Sequence, residues 1–157
     1  MRETLVADAL PDRHDRLRAG LRWIIAALYF AAGVIHLAKP ELFLAITPGW
    51  VPYPGAVIFL SGLFELGVAP ALLTRRFRQI AGIAMAVYAV CVWPANFKHA
   101  FDSFAVANGD WRWWYHVPRL AFQPAIVWWA LFSAGVIDWP VGQRSRPRRR
   151  GGVRPEV

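Results

Sequence analysis

Four apolar runs constrain this chain more than any other feature. Residues 21–38, 55–74, 80–97 and 120–137 are each long enough to cross a bilayer as a helix, and together they carry three ionisable side chains, Arg22, His36 and Glu65. A hydrocarbon core of about 30 Å takes roughly 20 predominantly apolar residues per helical span. A water-soluble domain would have to bury all four runs, and too little of the 157-residue chain remains to cover them. The composition, 57% hydrophobic with only 18% charged residues, is also greasier than that of a soluble domain, where about 25% of residues are charged. The expected fold is all-α: an integral membrane four-helix bundle over residues 21–138, preceded by a polar tail (1–20) and followed by a basic disordered tail (139–157).

The net charge of +8 raises the question of a nucleic-acid partner, and the placement of the charge answers it. Five basic residues lie up to Arg22 and three in the Arg75-Arg76-Phe77-Arg78 turn. Six more lie from Arg144 to Arg154, so 14 of the 18 Lys and Arg fall on one side of a chain that crosses four times. The positive-inside rule puts that side, and both termini, in the cytoplasm. The expected location is a bacterial inner membrane with multiple passes. The bilayer is then the partner, anionic lipid rather than RNA meets the Arg148-Arg149-Arg150 tail, and no nucleic acid is expected. The first run is longer than a signal-peptide core and follows about 20 mostly polar residues. Cys91 is the single cysteine, which excludes an intrachain disulfide.

The connections read as interfacial. Residues 39–54 carry four prolines with Phe43, Trp50 and Tyr53, and 41–46 suit a shallow turn of helix. Residues 98–119 form a second outer loop ending in an aromatic belt at Trp111, Trp113, Trp114 and Tyr115. Ser61, Glu65 and Ala69, and Gly82 with Ala86, place small residues at four-residue spacing for close helix approach. Pro70, Pro94 and Pro124 each interrupt a span and free a carbonyl for a polar neighbour.

Helical spacing gathers the polar residues. His116, Arg119 and Gln123 form one stripe; Tyr88, Asn96 and His99 lie near one face of the third span; Tyr29 and His36 share a face of the first. Glu65 falls near the midplane, Gln123 roughly a turn shallower, and His36, Asn96, His99, His116 and Arg119 near the outer surface, describing an outward-facing polar cleft with a carboxylate at its base. A midplane charge is expensive in lipid, so Glu65 is expected to face the interior, with Arg119 as its partner and Gln123 as a hydrogen-bond donor. It then serves either as a structural clamp between spans two and four or as a ligand or proton site. The candidate cleft residues are Glu65, Arg119, Gln123, His36, Asn96 and His116. No metal site is expected, since none of the histidines forms a helical ligand pair. No nucleophile elbow, P-loop or dinucleotide fingerprint occurs.

Five short stretches resemble the DoxX-like family of small four-span bacterial membrane proteins: 33–40 (GVIHLAKP), 46–54 (ITPGWVPYP), 62–67 (GLFELG), Pro94-Ala95-Asn96, and 117–123 (VPRLAFQ). Members of that family often carry a proline where Ala121 stands here, and an isoleucine where Phe97 stands. The resemblance implies a quinone as a candidate cofactor and a membrane or periplasmic redox protein as a candidate partner; the residues themselves call for no cofactor. The expected function is an accessory or small-molecule-binding membrane subunit, not an enzyme. The alternatives are a quinone-linked redox subunit, with His36 or His116 exchanging protons, and a small transporter coupled to protons through Glu65.

Overall fold

The computed structural model describes residues 13–106 and 113–140. The expected polar start of the N-terminal tail (1–12), the tip of the second outer loop (107–112) and the basic tail from 141 lie outside the described residues. Among the described residues the chain is entirely helix and connecting turns: α1 (Arg13–Ala38), α2 (Glu41–Leu44), α3 (Pro54–Leu73), α4 (Arg78–Val106) and α5 (Trp113–Ala134).

Each apolar run lies largely or wholly within a helix, and three of the helices extend well past the run at one end. α1 begins eight residues before the first run, with Asp15 in its opening turn, where a carboxylate favours the helix dipole. α4 continues to Val106, and an i,i+4 ion pair, Lys98 with Asp102, supports its last turns. α5 starts at Trp113, so most of the expected second outer loop is helix. At its other end α5 stops short of the expected 137. Gly135 adopts φ 77°, and Gly135 N–H donates to Phe132 O (3.0 Å) while Val136 N–H donates to Leu131 O (2.9 Å). That pair of bonds is the Schellman arrangement, which a left-handed glycine makes accessible. α3 opens on Pro54, whose fixed φ suits a first helical turn.

The four long helices pack as a ring, α1 beside α3, α3 beside α4, α4 beside α5 and α5 beside α1, with α2 resting on α3. Two glycine contacts set the tightest approaches. A Cβ on Gly62 of α3 would lie 2.9 Å from His36 Cβ of α1, and one on Gly33 would lie 2.9 Å from the Gly62 carbonyl. Across the ring, a Cβ on Gly82 of α4 would stand 2.2 Å from Ala134 Cβ of α5. Small residues here let backbones meet.

The bundle is divided along its length. The end holding the start of α1, the end of α3, the start of α4 and the end of α5 has an apolar core, built from Ile25, Val68, Leu72, Met85 and a run of alanines. The opposite end is where the polar side chains gather. At the apolar end, Arg22 Nε donates to Ser133 O (3.0 Å), Arg18 donates to Ile137 O (3.2 Å), and Trp129 Nε1 donates to Leu21 O (2.9 Å). Arg18 also pairs with Asp138 at 2.6 Å. Arg22 thereby satisfies one carbonyl of the last turn of α5, Ser133 O, and Arg18 binds a carbonyl just beyond the helix, Ile137 O.

Most of the apolar surface faces outward. The most apolar windows of α1, α3 and α4 are only 17%, 33% and 28% buried. Trp23, Leu28, Phe59, Leu60, Ile80 and Phe122 are each more than half exposed. Each such side chain forgoes about 1.5–3 kcal/mol of burial in water, a loss that lipid removes. Three helices, Arg13–Ala38, Pro54–Leu73 and Arg78–Asp102, are long and apolar enough to cross a membrane. α5 falls outside that group because Arg119, Gln123, Pro118 and Pro124 lower its hydropathy.

Candidate functional site

Two polar clusters, one on each side of the ring, face a shared space. The first joins α1 and α3. Glu65 is 4% exposed, and its Oε2 lies 2.7 Å from His36 Nδ1. The same nitrogen lies 3.1 Å from Ala32 O, and Glu65 Oε2 accepts no aligned hydrogen bond. Two acceptor oxygens, Ala32 O and Glu65 Oε2, thus stand around the His36 Nδ1. Phe43 of α2 stacks on the His36 ring, with centroids 3.6 Å apart. The Tyr88 hydroxyl faces Glu65 and Ser61, and Tyr29 donates to Met85 O at 3.2 Å.

The second cluster joins α4 and α5. Arg119 donates to Asn96 Oδ1 (2.7 Å), Asn96 Nδ2 donates to Gln123 Oε1 (3.2 Å), and Gln123 Nε2 donates to Ala89 O (2.6 Å). Pro94 leaves the Val90 carbonyl without its helical donor, and the Gln123 amide binds the carbonyl next to it, Ala89 O.

The partners therefore differ from the expected ones. Glu65 has its ion-pair contact with His36, not Arg119, and Gln123 donates to backbone, not to the carboxylate. The expected clamp between spans two and four is replaced by two clamps, α1 to α3 and α4 to α5. The reason is the Gly33–Gly62 crossing, which brings α1 against α3 at the depth of the carboxylate.

Between the clusters lie two cavities that share one wall. One, of about 250 Å³, lies under α2 and the outer turn, against α3 and α4. The other, of about 320 Å³, lies against α1, α4 and α5. Glu65, Tyr88, Val92, Asn96 and Arg119 line both; His36 lines the first and Gln123 the second. The rest of each lining is largely apolar, the pattern of a small-molecule site with a few convergent polar groups. His116 lines neither cavity. It is 3% exposed and packs edge-on against His99, with ring centroids 4.9 Å apart. Both histidines are helical, not in loops. Among the described residues no three His, Cys, Asp or Glu side chains converge as a metal set would. Tyr88, Tyr29 and Phe43 join the site without having been singled out as cleft residues. Tyr88 shares a face with Asn96 and was within reach of helical spacing, whereas Phe43 is placed by the fold of an irregular turn.

The family that matches this chain is DUF8561, a domain of unknown function, over residues 25–134. This corrects the DoxX-like resemblance: all five stretches that carried it lie inside the matched segment, which belongs to a different family. Glycines at a helix crossing, prolines in spans and a proline-rich interfacial turn answer to packing in lipid, and such short motifs do not identify a family. No curated protein and no solved structure matches the chain.

Proposed function

The chain belongs to the DUF8561 family, and we propose that it is a multi-pass protein of the bacterial inner membrane that holds a small amphiphilic molecule between its helices, as an accessory or binding subunit. The observation that carries this reading is the shared wall: a buried carboxylate, a phenol, an amide and a guanidinium between two otherwise apolar cavities. In this reading α5 is the fourth span. Its buried Gln123 and His116 face the ring, while Val117 and Phe122 face out, the arrangement lipid imposes on a polar helix. Both termini lie in the cytoplasm, with the arginines of the first tail, the 75–78 turn and the last tail.

Two measurements test it. Cysteines introduced at Arg76 and at Thr47 are labelled in spheroplasts by a membrane-impermeant maleimide in the background Cys91→Ser; Thr47 labels and Arg76 does not, and the reverse pattern overturns the topology. Organic extraction of protein purified in mild detergent yields a retained amphiphile, reduced at least fivefold in Val92→Trp, which fills both cavities. An empty wild-type extract, or an unchanged one from the variant, overturns the binding reading.

A quinone-linked redox subunit is a second reading. It is favoured by the Tyr88 and His36 X–H groups, which stand beside one carboxylate at the cavity wall. The ultraviolet spectrum of the same extract decides it: quinone absorbance supports it, and an extract without quinone removes it.

A further inference from the structure

Arg119 differs from the other charges at the wall. Glu65 has His36 at 2.7 Å, whereas Arg119, among the described residues, makes no ion pair and spends one donor on a neutral amide, Asn96. A guanidinium offers five donors and is always charged. Left without an anion at the mouth of an apolar cavity, it is a site for one.

The larger cavity shows what such an anion is attached to. From Arg119 it runs along α5 past Phe122 and Ile126 to Trp129, with Leu28 of α1 on the facing side. Phe122 is 60% exposed and Leu28 is 55% exposed, so the cavity opens sideways between α1 and α5, onto the surface that faces lipid. Ten residues of helix from Arg119 to Trp129 cover about 15 Å, roughly one leaflet of a hydrocarbon core of about 30 Å. The polar end lies at the outer end of the bundle and the apolar end deeper, which is how a lipid sits in the outer leaflet.

Resting on the binding reading above, we propose that this cavity takes a single-chain anionic amphiphile from the outer leaflet, its carboxylate or phosphate head on Arg119 and its chain along α1 and α5. The full-length protein in phosphatidylcholine nanodiscs is titrated with fluorescent anthroyloxy-palmitate, with the methyl ester of the same probe, and with lysophosphatidic acid as competitor. The free acid binds at least tenfold tighter than the ester. Displacement by lysophosphatidic acid shows that the site takes a phosphate head as well, and failure to displace restricts it to a carboxylate. Arg119→Gln brings the acid down to the affinity of the ester, Arg119→Lys keeps a preference for the acid, and Ile126→Trp weakens acid and ester alike. Equal binding of acid and ester by the wild type overturns the headgroup assignment and leaves the amphiphile reading standing. Absence of binding by both probes overturns the assignment and counts against the amphiphile reading as well. If Arg119→Gln melts with the wild type and still prefers the acid, the role of Arg119 fails. If that variant does not fold, Arg119→Lys decides by keeping or losing the preference.

Discussion

Gly82→Ala is expected to lower the melting temperature of the detergent-solubilised protein, and Gly67→Ala to raise it. Alanine is the better helix former by about 0.5–1 kcal/mol, so a glycine exposed on a helix gains from the change. Gly67 has nothing within 4 Å of the new Cβ and should show that gain. At Gly82 the new Cβ would stand 2.2 Å from Ala134 Cβ and 3.0 Å from the Ala130 carbonyl. Neither neighbour has a rotamer to escape into, so α4 and α5 must separate. Overpacking of this kind costs about 1–3 kcal/mol and outweighs the propensity gain. Gly62→Ala meets His36 Cβ at 2.9 Å and is expected to fall with Gly82→Ala, pushing His36 off the carboxylate as it does so. Thermal unfolding followed by circular dichroism checks all three, and a rise at Gly82 or Gly62 would sink the packing account.

The second large effect is at the α1–α3 pair. Removing one member of a buried ion pair leaves an uncompensated charge and costs about 3–5 kcal/mol, while replacing both with apolar residues is often neutral. His36→Leu is therefore expected to destabilise strongly, Glu65→Leu less, since a lone imidazole carries no obligatory charge, and the double variant less than His36→Leu alone. A double-mutant cycle read by unfolding in mixed micelles measures the coupling. Additive losses would mean that the 2.7 Å contact contributes no interaction of its own.

These effects show where the sequence was readable and where it was not. The middles of the helices were legible because hydrocarbon demands an unbroken apolar run, and every run lies largely or wholly within a helix. The ends were not. An apolar window reports only the part of a helix that fits lipid, and backbone hydrogen bonds continue through the headgroup region; α4 therefore outruns Phe97, and α5 begins before Leu120. The end of α5 carries a signal, Gly135, although apolar residues continue beyond it. The polar residues were legible as a group, since cost in lipid marks them out. Their pairing was not, because depth does not say which helices are neighbours. That is decided by Gly33 and Gly62, whose meaning appears only once α1 and α3 are seen to cross there. The family was not legible from short motifs, which record the demands of lipid more than descent.

The lengthwise division of the bundle has a mechanical consequence. At the cytoplasmic end in the proposed orientation, small side chains interlock, and Arg18, Arg22 and Trp129 lash α1 to the last turns of α5. At the other end the helices touch through polar links with hollows between them. A rod stiff at one end and loose at the other moves by pivoting. If a guest is held as proposed, the helices are expected to part at the hollow end, with the small-residue packing near Ala130 and Met85 acting as the fulcrum.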